Sequence, residues 1–213
     1  MGKLDEATAY LSGPMEMVAD HGVEWRRRFI RLSNAAGLNI HYIDPTNKPG
    51  GEDVKIGEDK ETQVRLQSEG RFKELRSYVG DYRRYDLRFV DLSDFLVVVV
   101  NPSVAQWGTA NEVYFAEMQH KPRFCIIEGG MHKLPRWLFD VFDDNEIFES
   151  VEDLIAHLIK LDSGEVELDK RWVLVRKHIR LQQENYKPSP SEQEPSPAPS
   201  RMKKFLRHLK FWK

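Results

Sequence analysis

Six consecutive apolar residues, "FLVVVV" from Phe95 to Val100, stand between Asp94 and Asn101. No polar position interrupts them, which predicts a strand buried on both faces, as in a parallel sheet. The rest of the chain alternates short apolar runs with helical spacing. "ATAYLSG" (7–13) reads as a first strand ending in a Gly-Pro turn, and "LNIHYIDP" (38–45) as a second, closed by Pro45. Between them, residues 22–36 place Trp25, Phe29, Ile30 and Leu32 at roughly helical spacing, with Gly37 as the stop. The stretch 46–60 is polar and Gly-rich and predicts a long loop, and residues 61–92 carry helical patterning with a break near Gly80. After the valine run, residues 109–120 predict a helix, "RFCIIEG" (123–129) a strand, and "SVEDLIAHLIKL" an amphipathic helix capped by Ser150.

Strands alternating with helices predict an α/β fold, an open, mostly parallel sheet flanked by helices in a flavodoxin-like or Rossmann-like three-layer sandwich. Residues 165–185 read as one more helix. The domain expectation is therefore an α/β domain over 1–163, a helical extension over 164–186, a Pro/Ser-rich linker over 187–200 and a basic amphipathic helix over 201–213.

Charge changes the picture only at the end of the chain. The net charge is −2, but "RMKKFLRHLKFWK" holds six Lys or Arg and no acid, which leaves the remainder at −8. The body is thus not a general nucleic-acid binder, and the tail suits a membrane surface or an acidic partner, or equally a helix that docks back on the domain or stays frayed. The single Cys125 excludes an internal disulfide and reads as a buried structural residue. The acidic "MGKLDEATAY" lacks a signal-peptide core, so a cytoplasmic protein is expected. No P-loop or dinucleotide glycine fingerprint and no metal-ligand spacing among the histidines is present, and no cofactor is expected.

Ligands of open α/β sheets bind beyond the carboxyl ends of the strands. Ser12-Gly13-Pro14, Asp44-Pro45 and the loop Asn101–Gly108 all fall there. Glu112 follows that loop closely. Taken alone it reads as an acid near a helix start, with Thr109 as N-cap, a placement worth roughly 0.3–1 kcal/mol. Its position past a buried strand makes it equally a carboxylate placed for nucleophilic chemistry. Asp86, Asp91 and Asp94 precede the strand, and each alone reads as structural. Arg26, Arg27 and Arg28 open a helix, where one could reach a phosphate while two face solvent.

In register, these pieces resemble the nucleoside 2-deoxyribosyltransferase family over about residues 8 to 128. The matching features are "YLSGPM", the spacing Asp86, Val90, Asp94 before the valine run, Gly108-Thr109 with a glutamate three residues on, and Lys121-Pro122 at the helix end. The resemblance implies that Glu112 is a nucleophile attacking the anomeric carbon of a (deoxy)nucleoside or nucleoside monophosphate. It implies that Tyr10 orients that carboxylate and that Asp86 contacts the leaving base. It places Ser12, Gly13, Gln106, Trp107, Gly108, Thr109 and Asp94 at the substrate, and implies a homo-oligomer. Many members carry an acid where Gln106 stands, and a glutamine hydrogen-bonds a hydroxyl but is no base. Transfer to a second base and hydrolysis by water are both open on this reading. A nucleotide-binding sensor on the same fold, localised by the basic tail, is the alternative.

Overall fold

The computed structural model describes residues 2–47 and 56–177, with the backbone alone for 56–59. The linker and basic-helix expectations, and much of the predicted loop, lie outside the described residues.

The elements run β1 (Thr8–Ser12), α1 (Val23–Ala35), β2 (His41–Ile43), α2 (Ile56–Ser68), α3 (Phe72–Leu92), β3 (Phe95–Val99), α4 (Trp107–Met118), β4 (Arg123–Ile126), β5 (Ile147–Phe148) and α5 (Val151–Ser163). The strands form one sheet in the order β2-β1-β3-β4-β5, and every pairing is parallel. This is the expected open parallel α/β sheet, in the flavodoxin-like order. The chain first builds outward from β1 to β2, then crosses to β3 and builds the other way. The reversal opens a crevice between the carboxyl ends of β1 and β3.

Strand residues alternate between two cores, because successive side chains point to opposite faces. Ala9, Leu11, Phe95, Val97, Phe124 and Ile126 pack with Phe29 of α1 and with Leu154, Ile155 and Leu158 of α5. Tyr10, Leu96, Val98 and Cys125 pack with Val90 of α3 and with Val113 and Ala116 of α4. Both faces are therefore covered, which explains why the valine run shows no polar alternation.

Several boundaries differ from expectation. The helical patterning over 61–92 breaks at Gly70 (φ 69°), and Gly80 lies inside α3. Only a left-handed backbone at Gly70 requires glycine there, whereas Gly80 is an ordinary helix interior residue. Helix α2 begins at Ile56, inside the stretch expected to be loop. Three 3-10 turns (Gly130–Lys133, Arg136–Asp140, Asp144–Glu146) and the two-residue β5 were not anticipated, since segments this short carry no periodicity. Ser150 caps α5 as expected, accepting from the Asp153 N–H at 3.1 Å.

The extension after α5 also differs. Residues 165–172 are not helical, and helix resumes only at 173–177. Trp172 and Val175 are buried in the main core, with the Trp172 ring 5.2 Å from Phe95 and 6.2 Å from Phe124. Arg171 ties the same segment to buried Glu146 through a 2.5 Å ion pair. The α/β core thus runs past residue 163 and includes this strap.

Candidate active site

Tyr10 and Ser12 are two residues apart on β1, so both point toward the face covered by α4. The inward stripe of α4 is Thr109, Glu112, Val113 and Ala116, at helical spacing i, i+3, i+4, i+7. Glu112 therefore stands at a position where an apolar residue would ordinarily pack. Its two carboxylate oxygens are divided between the strand hydroxyls. Tyr10 Oη donates to Oε1 at 2.8 Å, and Ser12 Oγ donates to Oε2 in a short bond. All three side chains are buried.

The helix starts earlier than the sequence indicated. α4 begins at Trp107, and Gln106 occupies the N-cap position without a side-chain cap. Thr109 is thus the third helical residue and not the N-cap, and no acid lies in the first turn. Glu112 sits in the second turn, facing inward. An end-of-helix role does not account for it.

A cavity of about 420 Å³ opens over this carboxylate, in the crevice between β1 and β3. Gly13 to Glu16 and His21 form one wall and Pro45 another; Lys60 and Gln63 of α2 contribute a third. Helix α3 lays down the stripe Val79, Tyr82, Arg83, Asp86 and Leu87, and the start of α4 supplies Ala105 to Thr109, Asn111 and Glu112. Asp86 is one helical turn before buried Val90, which keeps it on the inward side of α3 and aims it at the same space as Glu112. Trp107 stands at the rim, 80% exposed. A wider groove of about 690 Å³ beside α1 and β2 lies apart from these groups and has Asp44 as its one acid, already hydrogen-bonded to Thr46.

Burial pushes the Glu112 carboxyl above the ordinary glutamate range. The Ser12 and Tyr10 hydroxyls and the Arg26 charge oppose that rise, and the Asp86 charge adds to it. Tyr10 is likewise driven well above the ordinary phenol value, first by burial and then by Glu112 and Asp86. Tyr10 is consequently a hydrogen-bond donor at every working pH.

Arg26 is fully buried, while Arg27 and Arg28 face solvent, Arg28 pairing with Glu152 at 2.6 Å. The sequence shows three arginines in a row without marking which one turns inward. Gln106 lines the cavity with its Nε2 donating to the Asn101 carbonyl at 2.7 Å, and its buried Oε1 meets no hydrogen-bond partner among the described residues. Gly13, Trp107, Gly108 and Thr109 also line the cavity. Tyr10 and Ser12 lie beneath it, behind Glu112.

Asp94 is the exception. Its carboxylate accepts from the Thr8 N–H at 2.8 Å, and its own N–H donates to the Thr8 carbonyl at 2.7 Å. Both residues stand at the amino ends of β1 and β3, at the opposite edge of the sheet from the cavity. Asp94 pins two strands together, and its placement at the substrate is corrected. Among the described residues, no group of three or more His, Cys, Asp or Glu could hold a metal ion, and no helix is long and apolar enough to cross a membrane.

No family model matches the chain, and no curated protein matches it. Among solved structures, it is similar to a crystal structure of a conserved protein from Enterococcus faecalis V583. The identity is 15%, the match covers 83% of this chain and 99% of that one, and the TM-score is 0.37.

Proposed function

We propose that the chain is an enzyme that breaks the N-glycosidic bond of a (deoxy)nucleoside or nucleoside monophosphate, with Glu112 as nucleophile. The observation that carries this reading is the buried Glu112 carboxylate, each oxygen held by one strand hydroxyl, beneath a nucleoside-sized cavity that it shares with Asp86.

The chemistry follows from the groups present. Loss of a base from a sugar passes through a cation-like state at the anomeric carbon, and a carboxylate on one face captures it. A Glu112 oxygen bonds to that carbon as the carbon–nitrogen bond breaks, and the bonding pair leaves on the base. Each carboxylate oxygen accepts only one hydroxyl, so a lone pair remains for attack. The base takes a proton from Asp86, which faces the same cavity as Glu112. Asp86 then removes a proton from the acceptor, water or a second base, whose lone pair displaces the carboxylate and regenerates Glu112. Tyr10 and Ser12 keep the carboxylate in one rotamer throughout.

The test is a screen of nucleosides and nucleoside monophosphates for free base, read by mass, followed by addition of a second base. Free base with water alone identifies hydrolysis, and a swapped nucleoside identifies transfer. No base from any member of the panel would overturn the reading.

A further inference from the structure

The guanidinium of Arg26 has no exposure, yet its hydrogen bonds go to carbonyls and none to a carboxylate. Nε donates to Leu11 O at 3.1 Å, Nη2 to Gly13 O at 3.1 Å, and Nη1 to Gly22 O at 2.7 Å. The nearest counter-charge is Asp44, with Oδ1 3.7 Å from Nε. Burying a cation this way costs several kcal/mol unless it is compensated. A lysine or a neutral residue could fill the space, so the fork requires a reason.

Leu11 and Gly13 are the residues on either side of Ser12. Arg26 thus grips the peptide groups flanking the residue whose hydroxyl holds Glu112 Oε2. It also draws in Gly22, which has φ 73° and whose backbone lies so close that an added Cβ would meet Pro14 O at 2.3 Å. The loop therefore closes on the fork from both ends. Arg26 lines the same cavity as Glu112. The groups that act on that carboxylate include Tyr10 from β1, Asp86 from α3 and Arg26 from α1, and Glu16, His21, Lys60 of α2 and Arg83 of α3 line the same cavity; those around Arg26 include Asp44, Tyr10, Glu112 and Asp20. Of the cations lining the cavity among the described residues, Arg26 is the buried one.

We infer that Arg26 is a positioning residue for Glu112: its fork fixes the backbone on both sides of Ser12, and its charge is the buried positive partner of the nucleophile. This rests on the reading of Glu112 as nucleophile, and one arm of its test does not. A guanidinium suits both tasks because it stays charged when buried and donates in a fixed plane.

Two variants separate the tasks. Arg26→Gln keeps donors without the charge, and Arg26→Lys keeps the charge without the fork. The Glu112 carboxyl is followed by NMR in chains carrying isotope-labelled glutamate, the signal being assigned by its loss in Glu112→Gln. Arg26→Gln is expected to titrate higher than the unaltered chain by about half a pH unit or more, since a nearby cation favours the carboxylate. Arg26→Lys is expected to stay closer to the unaltered midpoint while kcat for base release falls about tenfold with KM within about twofold, the signature of lost positioning. An unchanged titration in folded Arg26→Gln overturns the electrostatic role. Unaltered kcat in folded Arg26→Lys overturns the positioning role, and that variant decides alone if Arg26→Gln does not fold. A chain that releases no base from any nucleoside sinks the nucleophile reading, while the titration still decides whether Arg26 governs the carboxylate.

Discussion

Glu112 is a carboxylate in the place of a core side chain, and it destabilises the fold unless its charge is met. Two hydroxyl donors to a charged acceptor return roughly 1.5–3 kcal/mol each. The raised pKa says that this does not fully offset the lost water. The sign follows directly. A carboxyl whose folded pKa lies above its unfolded one favours folding at low pH, and that contribution is lost as pH rises from the ordinary glutamate range through the folded value. Glu112→Gln carries no such charge, and the Tyr10 and Ser12 hydroxyls rotate to suit an amide. Its melting temperature is therefore expected to gain on that of the unaltered chain as pH rises from acid to neutral. A constant difference across that range would contradict the burial argument. On the proposed mechanism, activity is expected to have the opposite dependence, since it needs the carboxylate to attack. The acidic limb of kcat/KM is expected above the ordinary glutamate range and moved higher in Tyr10→Phe, which loses a hydroxyl donor to the carboxylate. A limb that stays put in that variant would remove the coupling between the two residues.

At the scale of elements, the site depends on where strands stop and helices start. The valine run and Gly108 after it made β3 and the approach to α4 readable from sequence. The helix start was misplaced by two residues because Trp107 and Gly108 carry no capping signal, and that shift changes Glu112 from a terminal acid to an inward one. Asp86 was legible through its spacing from Val90. Asp94 has the same spacing on the far side of Val90, and only the strand register reveals that it lies at the wrong end of the sheet. Arg26 was hidden among identical neighbours, since a row of arginines shows no preferred face until the helix is docked. The β1–α1 loop gives a direct test. Gly22→Ala forces a left-handed backbone and a close approach to Pro14, and is expected to cost about 1–3 kcal/mol in urea unfolding. Ser150→Ala removes an exposed N-cap from α5 and is expected to cost about 1 kcal/mol with base release unchanged. The reverse ranking of the two would contradict the packing described for the loop.

At the scale of the whole molecule, the parallel order β2-β1-β3-β4-β5 places one crevice between β1 and β3, and the carboxylates gather there. The architecture was readable because alternating strands and helices leave few topologies. The strap after α5 was not, since the four apolar residues Trp172–Val175 are too few to show a period. Trp172 closes the core against Phe95 and Phe124, so a chain ending at residue 163 is expected to lose about 3–5 kcal/mol of stability, the range for deleting a buried tryptophan. A chain ending at residue 177 keeps Trp172, Val175 and every cavity residue, and is expected to exceed the chain ending at residue 163 in urea stability by that amount. Equal stability of both truncations would show that the strap is dispensable.

The central claim is that the Glu112 carboxylate performs the chemistry. It is tested most directly by incubating the unaltered chain and Glu112→Gln with the nucleosides and nucleoside monophosphates of the screen, and measuring free base by mass. The account predicts steady base release by the unaltered chain and a loss of about a thousandfold or more in Glu112→Gln, with both chains equally folded by circular dichroism. Equal rates from the two chains would contradict it.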